Sequence, residues 1–124
     1  MSSPSNLRSH RQLLVWQRGI ELARECYRVA KLFPRDERFE LGSQLRSASA
    51  SVTANIAEGK GRRSAAEYAR FLAIARGSVR EVDSHLELAT ALEFVGRRDV
   101  AEAQRLADEV IRMLSAMMRK LAPL

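Results

Sequence analysis

The chain has 124 residues, room for one domain and not for two, and 46% of them are apolar, enough for a core. Three prolines, six glycines and one cysteine exclude a collagen-like chain, a low-complexity linker and a disulfide scaffold, and 6% aromatics without paired turn signals argue against an all-β fold. The net charge is +6, carried by 18 Arg and 3 Lys against 15 carboxylates, which favours phosphate-bearing partners by long-range attraction.

In chain order, the first twelve residues are mostly Ser, Pro, Asn, Arg and His. They lack the apolar run of a secretory signal, so residues 1–11 are expected to be a disordered tail and residues 12–124 the folded domain. The first helix is expected from about Gln12 to Leu32. Val15, Leu22, Cys26 and Val29 form one stripe, with Phe33 beyond. Trp16, Ile20, Ala23, Tyr27 and Ala30 form an adjoining one, giving a wide apolar face. Phe33-Pro34 ends the helix.

The second helix is expected from Asp36 or Glu37, whose carboxylates suit a helix N-terminus, to Glu58. Its stripe is Leu41, Leu45, Ala48, Val52 and Ile56. The small residues from Ser47 to Ser51 would let a neighbouring helix approach closely. Gly59 is expected to be a left-handed cap in the Gly59-Lys60-Gly61 break.

The third helix opens at Ser64, with Glu67 completing a capping box. It is expected to run about 30 residues, or about 45 Å, to a stop at Gly96. Gly77 lies inside it at a cost of about 1 kcal/mol against Ala, which close helix packing or a kink would explain. The fourth helix is expected from Asp99, with Glu102 as the box partner, along Val100, Ala103, Leu106, Val110, Leu114, Met117 and Leu121. Short breaks make neighbours antiparallel, so the fold class is all-α, an up-down-up-down four-helix bundle.

Chemistry needs convergent groups, and few are present. Cys26 has no second cysteine for a disulfide or a metal pair, and neither His10 nor His85 is placed beside it by sequence. Glu81 and His85 share a helix face, but a metal centre in a bundle core needs further histidines and carboxylates. The Gly59-Lys60-Gly61 run lacks the spacing and the preceding strand of a phosphate loop. No catalytic residue, cofactor or metal is expected. No segment nears the roughly 18 apolar residues of a membrane span, and none joins a wholly basic face to a continuous apolar one, so the cytoplasm is the expected location.

The strongest charge signal runs from Lys60 to Arg80. Lys60, Arg62, Arg63, Arg70, Arg76 and Arg80 face Glu67 alone in that stretch. Cations beside a helix N-terminus suit phosphate, so these six are candidate nucleic-acid contacts; as solvated arginines they would instead pair with Glu67, Glu81 and Asp83. The sparse aromatics do not indicate base stacking. The surplus apolar surface at Trp16 and Ile20 marks an oligomer interface or packing at a bundle end.

Val15-Trp16-Gln17, Phe33-Pro34 followed by Glu37-Arg38, Leu45-Arg46, Asn55-Ile56-Ala57-Glu58-Gly59 and Phe71 to Ser78 together resemble a known family. It is the bacterial four-helix-bundle family named for members encoded in intervening sequences of large-subunit ribosomal RNA genes. The resemblance covers about Leu14 to Val95 in its motifs and the last helix by pattern only, and it implies a cytosolic, ring-like homopentamer whose molecular function is not established. It extends to the accessory protein of diversity-generating retroelements, a basic pentameric bundle that contacts nucleic acid and a reverse transcriptase. The motif residues carried over are Asn55, Glu58, Gly59, Arg76, Gly77 and Ser78. Asn55 and Glu58 would hydrogen-bond the turn or Arg76, and Gly77 and Ser78 would allow close helix contact; a binding site built from the same residues is the alternative. Where the family commonly has Ser-Ile-Pro-Ser, this chain has Ser51-Val52-Thr53-Ala54, which implies a weaker kink.

Two functions fit these features. One is a non-enzymatic, oligomeric accessory protein that binds RNA or DNA. The other is a homo-oligomeric scaffold that binds a protein partner and whose basic charge is incidental.

Overall fold

Four amphipathic helices bury their apolar stripes against one another in a computed structural model that describes residues 9–123. The helices are α1 (Leu14–Lys31), α2 (Leu41–Lys60), α3 (Ala65–Ala91) and α4 (Arg97–Leu121), with single 3-10 turns at His10–Gln12 and Arg35–Arg38. Each helix packs on its neighbour in sequence, and α4 closes the ring against α1. This is the up-down-up-down bundle that the short connections require. One end therefore gathers the start of α1, the α2–α3 turn and the end of α4. The other gathers the α1–α2 and α3–α4 connections.

Leu22, Leu45, Ile56, Leu72, Leu86, Leu106 and Leu114 are fully enclosed, and Val52, Val79, Val82 and Val110 fill the space between them. Burying one such side chain contributes about 1.5–3 kcal/mol. Of the two stripes on α1, only the first is wholly internal. Trp16, Ile20 and Ala23 are half-buried and Tyr27 is exposed.

The approach of α2 to its neighbours is set by glycines. A Cβ at Gly19 would lie 2.9 Å from Thr53 Cγ2, and one at Gly59 would lie 2.9 Å from Phe71 Cβ. Gly59 is therefore a close-contact residue inside α2 and not a left-handed cap, since no glycine has a positive φ. The helix continues to Lys60, where the Gly61 N–H donates to the carbonyls of Ala57 and Glu58. Gly77 corrects the sequence expectation in the opposite sense. It is exposed in an unbroken helix, and a Cβ there would meet nothing within 4 Å.

Three helix boundaries also differ from expectation. Asp36 and Glu37 belong to the 3-10 turn that follows Pro34, and α2 starts only at Leu41 because Glu40 has non-helical angles. α3 stops at Ala91, five residues before Gly96. Glu93 supplies the left-handed residue at φ 63°, and the Phe94 and Glu93 N–H groups donate to the carbonyls of Ala89 and Thr90. This is a Schellman ending without its usual glycine. Its C-terminal Phe94 packs on Phe33, ring centroids 5.8 Å apart, and so joins the two connections at that end. α4 opens at Arg97 because Asp99 sits in its first turn and accepts the Gly96 N–H at 2.8 Å.

Of the expected tail, residues 1–8 lie outside the described residues. His10–Gln12 is a turn packed on α1 and α2, with His10 edge-on to Trp16 at 5.1 Å. The segment Ser51-Val52-Thr53-Ala54 is continuous helix within α2.

Candidate nucleic-acid interface

The α2–α3 turn is built by two local signals. Gly61 releases the chain from α2, and Ser64 Oγ accepts the Glu67 N–H at 3.1 Å to start α3. Between them Lys60, Arg62 and Arg63 come to the surface. Phe71, nearly two turns into α3, organises the cations. The Arg62 guanidinium lies 4.6 Å from its ring centroid and that of Arg70 4.7 Å. Lys60 Nζ sits 6.0 Å from the ring centroid of Tyr68. Arg62 also pairs with Glu58 at 2.5 Å, and Arg70 with Glu67 at 3.4 Å. Aromatic contacts and ion pairs of this exposed kind contribute little stability, but they hold the cations in place.

The six sequence candidates do not form one patch. Lys60, Arg62, Arg63 and Arg70 lie together. Arg76 belongs to the side of α3 that faces α4, where its Nη1 donates to Ser115 Oγ at 3.1 Å. Its Nε–H is buried and finds no acceptor among the described residues. Arg80 is exposed a turn further along.

The fold brings to this same end three cations that a linear scan had no reason to group with them. Arg11 precedes α1, and Arg119 and Lys120 occupy the last turn of α4. Tyr68, Met117, Lys120 and Leu121 line one shallow hollow, which places Lys120 beside the Lys60 cluster. Over residues 9–14, 58–70 and 117–123 there are seven Lys or Arg and two carboxylates, Glu58 and Glu67. Over the opposite end, residues 28–41 and 87–99, there are six of each. Nearer that far end Asp83 is held above the usual carboxylate range by burial and by its neighbours Glu87 and Asp108. Up-down-up-down connectivity was the signal that could have found this polarity, because it puts the two chain ends beside the second turn.

The motif residues have structural partners. Asn55 Nδ2 donates to Ser51 O at 2.8 Å and to Ser51 Oγ at 3.0 Å, and Ser78 Oγ bonds the same Ser51 hydroxyl at 2.9 Å. This chain ties α2 to α3. Asn55 does not reach Arg76, as the sequence had allowed, because its amide is taken by Ser51 while the Arg76 guanidinium turns to Ser115 of α4. Glu58 is taken by Arg62.

No three His, Cys, Asp or Glu among the described residues could hold a metal ion. Burial, with Glu25 nearby, pushes the Cys26 thiol up to about 12, so it stays protonated and unreactive at neutral pH. Among the described residues His85 bonds only Glu81, at 3.4 Å, its ring mostly buried and the carboxylate exposed. No helix of the described residues is long and apolar enough to cross a membrane. Trp16 and Ile20 border half-open surface on α1, where Ile20, Ala23 and Tyr27 line a shallow hollow with Arg24, Arg28 and Lys31.

No curated protein matches the chain. Among solved structures, a crystal structure described as a protein with unknown function from the S23 ribosomal protein family of Bacteroides thetaiotaomicron VPI-5482 superposes with a TM-score of 0.79. The two are 23% identical, and the match covers 85% of this chain and 98% of that one, a likeness of fold. The family model described as 23S rRNA-intervening sequence protein matches residues 11–116. That span takes in all of α1, α2 and α3 and most of α4, and on this ground the chain belongs to the 23S rRNA-intervening sequence protein family.

Proposed function

We propose that this protein is a non-enzymatic, homo-oligomeric accessory protein of the cytoplasm that binds the phosphate backbone of RNA or DNA with one end of its bundle. The observation that carries it is the charge polarity. Seven cations face two carboxylates at the end built by the α2–α3 turn, while the opposite end is balanced. Such a surface attracts a polyanion and orients the molecule as it approaches. The contacts would go to phosphates and would carry no base preference, because Phe71 and Tyr68 are committed to packing and to their cations.

Fluorescence anisotropy with labelled duplex DNA and structured RNA, titrated from low to physiological salt, tests this. Arg62→Gln/Arg63→Gln should weaken binding about equally for all sequences and flatten the salt dependence by about one to two in slope. Unchanged affinity in that variant would remove the turn from the mechanism. Self-association, with the ring-like homopentamer as the expected form, is supported by the half-exposed α1 face at Trp16, Ile20 and Tyr27. A monomer mass by light scattering at micromolar concentration would contradict it.

A second reading, a scaffold for a protein partner, is favoured by the far end. Phe39 is 79% exposed there, with Leu32 and Leu92 about half exposed. It predicts a nuclease-resistant pull-down dominated by one protein and abolished by Phe39→Ser.

A further inference from the structure

Arg76 is a cation with no counter-ion among the described residues. Arg18, Arg28, Arg62, Arg70, Arg97, Arg105 and Arg112 each reach a carboxylate. Arg76, half-buried between α3 and α4, reaches none among the described residues and bonds only a hydroxyl, that of Ser115. A guanidinium has five N–H donors, and its desolvation is costly unless an anion or further acceptors compensate it. Here one donor has an acceptor, and the Nε–H is shut off from water with none.

The surroundings do not supply the missing charge. Arg80 lies one turn along α3 from Arg76, and Arg119 one turn along α4 from Ser115. Arg112 lies nearly a turn the other way and occupies Asp108. Within one turn of Arg76 on α3 and of Ser115 on α4 the charged residues are therefore all cations; the carboxylates of this side, Asp83 and Asp108, lie about two turns away, and Asp108 is paired with Arg112. Ser115 accepts from Arg76 and keeps its own hydroxyl proton to donate.

A second observation concerns the adjacent residue. Gly77 has no positive φ and a Cβ there would touch nothing, so neither backbone geometry nor packing inside the chain requires glycine. A helix-interior glycine still costs about 1 kcal/mol against alanine. Its bare backbone leaves the outer surface of α3 open to close approach beside Arg76.

We infer that Arg76 and Ser115 form the seat of a phosphate-class oxyanion on the α3–α4 groove, with Arg80 and Arg119 supplying the surrounding positive field. The choice of phosphate over other anions rests on the nucleic-acid reading above; the seat itself does not require the basic end to make contact. The same phosphate chemistry could arrive as a phosphodiester of a nucleic-acid strand or as a free phosphate group.

Two-dimensional NMR of the arginine Nε–Hε resonances tests it, with Arg76 identified by its loss in Arg76→Met. Inorganic phosphate and, separately, a short single-stranded oligonucleotide are titrated at constant ionic strength against chloride. A saturable shift of the Arg76 resonance, larger than that of Arg98 and reduced in Ser115→Ala, supports the seat. A response to the oligonucleotide assigns it to a phosphodiester, and a response to inorganic phosphate alone assigns it to a free phosphate group. No shift with either ligand, or one equal to that of Arg98, overturns it. Thermal melting is the second readout. Arg76→Met should melt no lower than the parent without phosphate and should lose the parent's extra stabilisation in phosphate over chloride. A Met variant that melts lower and keeps the full phosphate response would show that Arg76 is a structural strut. Arg62→Gln/Arg63→Gln should leave the Arg76 shift intact, so failure of the basic end and failure of this seat give different results.

Discussion

The two ends of the bundle share a fold and differ in chemistry. At the α2–α3 end, cations are ordered on aromatic rings and outnumber carboxylates seven to two. At the other end charges balance, Arg97 and Gln104 converge on Glu87, and Phe39, Leu32 and Leu92 are exposed. The lesson is that net charge says little about binding until the topology has sorted it. Here +6 over the chain becomes a strongly basic end and a neutral one.

The largest expected effects break the comparison at the basic end. Arg62→Gln/Arg63→Gln should lower nucleic-acid affinity about tenfold at low salt, since each lost phosphate contact removes nearly one unit of salt slope. In stability, the alkaline limit should come from Cys26, toward the far end of α1. Its folded pKa is raised to about 12, so the native state keeps a proton that the unfolded chain gives up. Stability is therefore full below the unfolded thiol pKa and falls by up to about 1.4 kcal/mol per pH unit between it and the folded value. Denaturant titrations from pH 8 to 10, below the range where the Tyr68 phenol, also raised by burial, joins in, should show this slope and lose it in Cys26→Ala.

Smaller effects separate the glycine and turn chemistry of the two ends. Gly59→Ala should cost about 1–3 kcal/mol, because the added methyl meets Phe71 and Tyr68 where α2 and α3 touch. Glu93→Gly should stabilise the far end by about 1 kcal/mol by relieving the left-handed residue in the Schellman turn. Gly77→Ala should gain up to about 1 kcal/mol, there being nothing for the methyl to strike. Urea unfolding with unchanged m-values checks all three.

The bundle was legible because its signal is periodic. Val15, Leu22, Cys26 and Val29, and likewise Leu41, Leu45, Val52 and Ile56, recur at helical spacing and are all buried. Helix ends were less so, because they depend on local geometry that composition does not specify. Glu93 takes a conformation for which glycine is the usual signal, and Asp99 caps from within the first turn instead of from before it. Gly59 and Gly77 look alike in sequence; only the position of Phe71 against Gly59 separates a required glycine from an unexplained one. The candidate site was half legible. Lys60, Arg62, Arg63 and Arg70 are local neighbours, whereas Arg11, Arg119 and Lys120 join them through tertiary structure alone. Arg76 leaves the group because residue 76 falls on the side of α3 that faces α4.

The most direct measurement compares two variants that remove the same charge from opposite ends, Arg62→Gln/Arg63→Gln and Arg97→Gln/Arg98→Gln, by salt-dependent anisotropy on one duplex and one structured RNA. If the basic end makes the contact, the first variant binds about tenfold more weakly at low salt with a flatter slope, and the second binds like the parent. Equal losses in both would show that net charge alone attracts nucleic acid, and would contradict an end-specific interface.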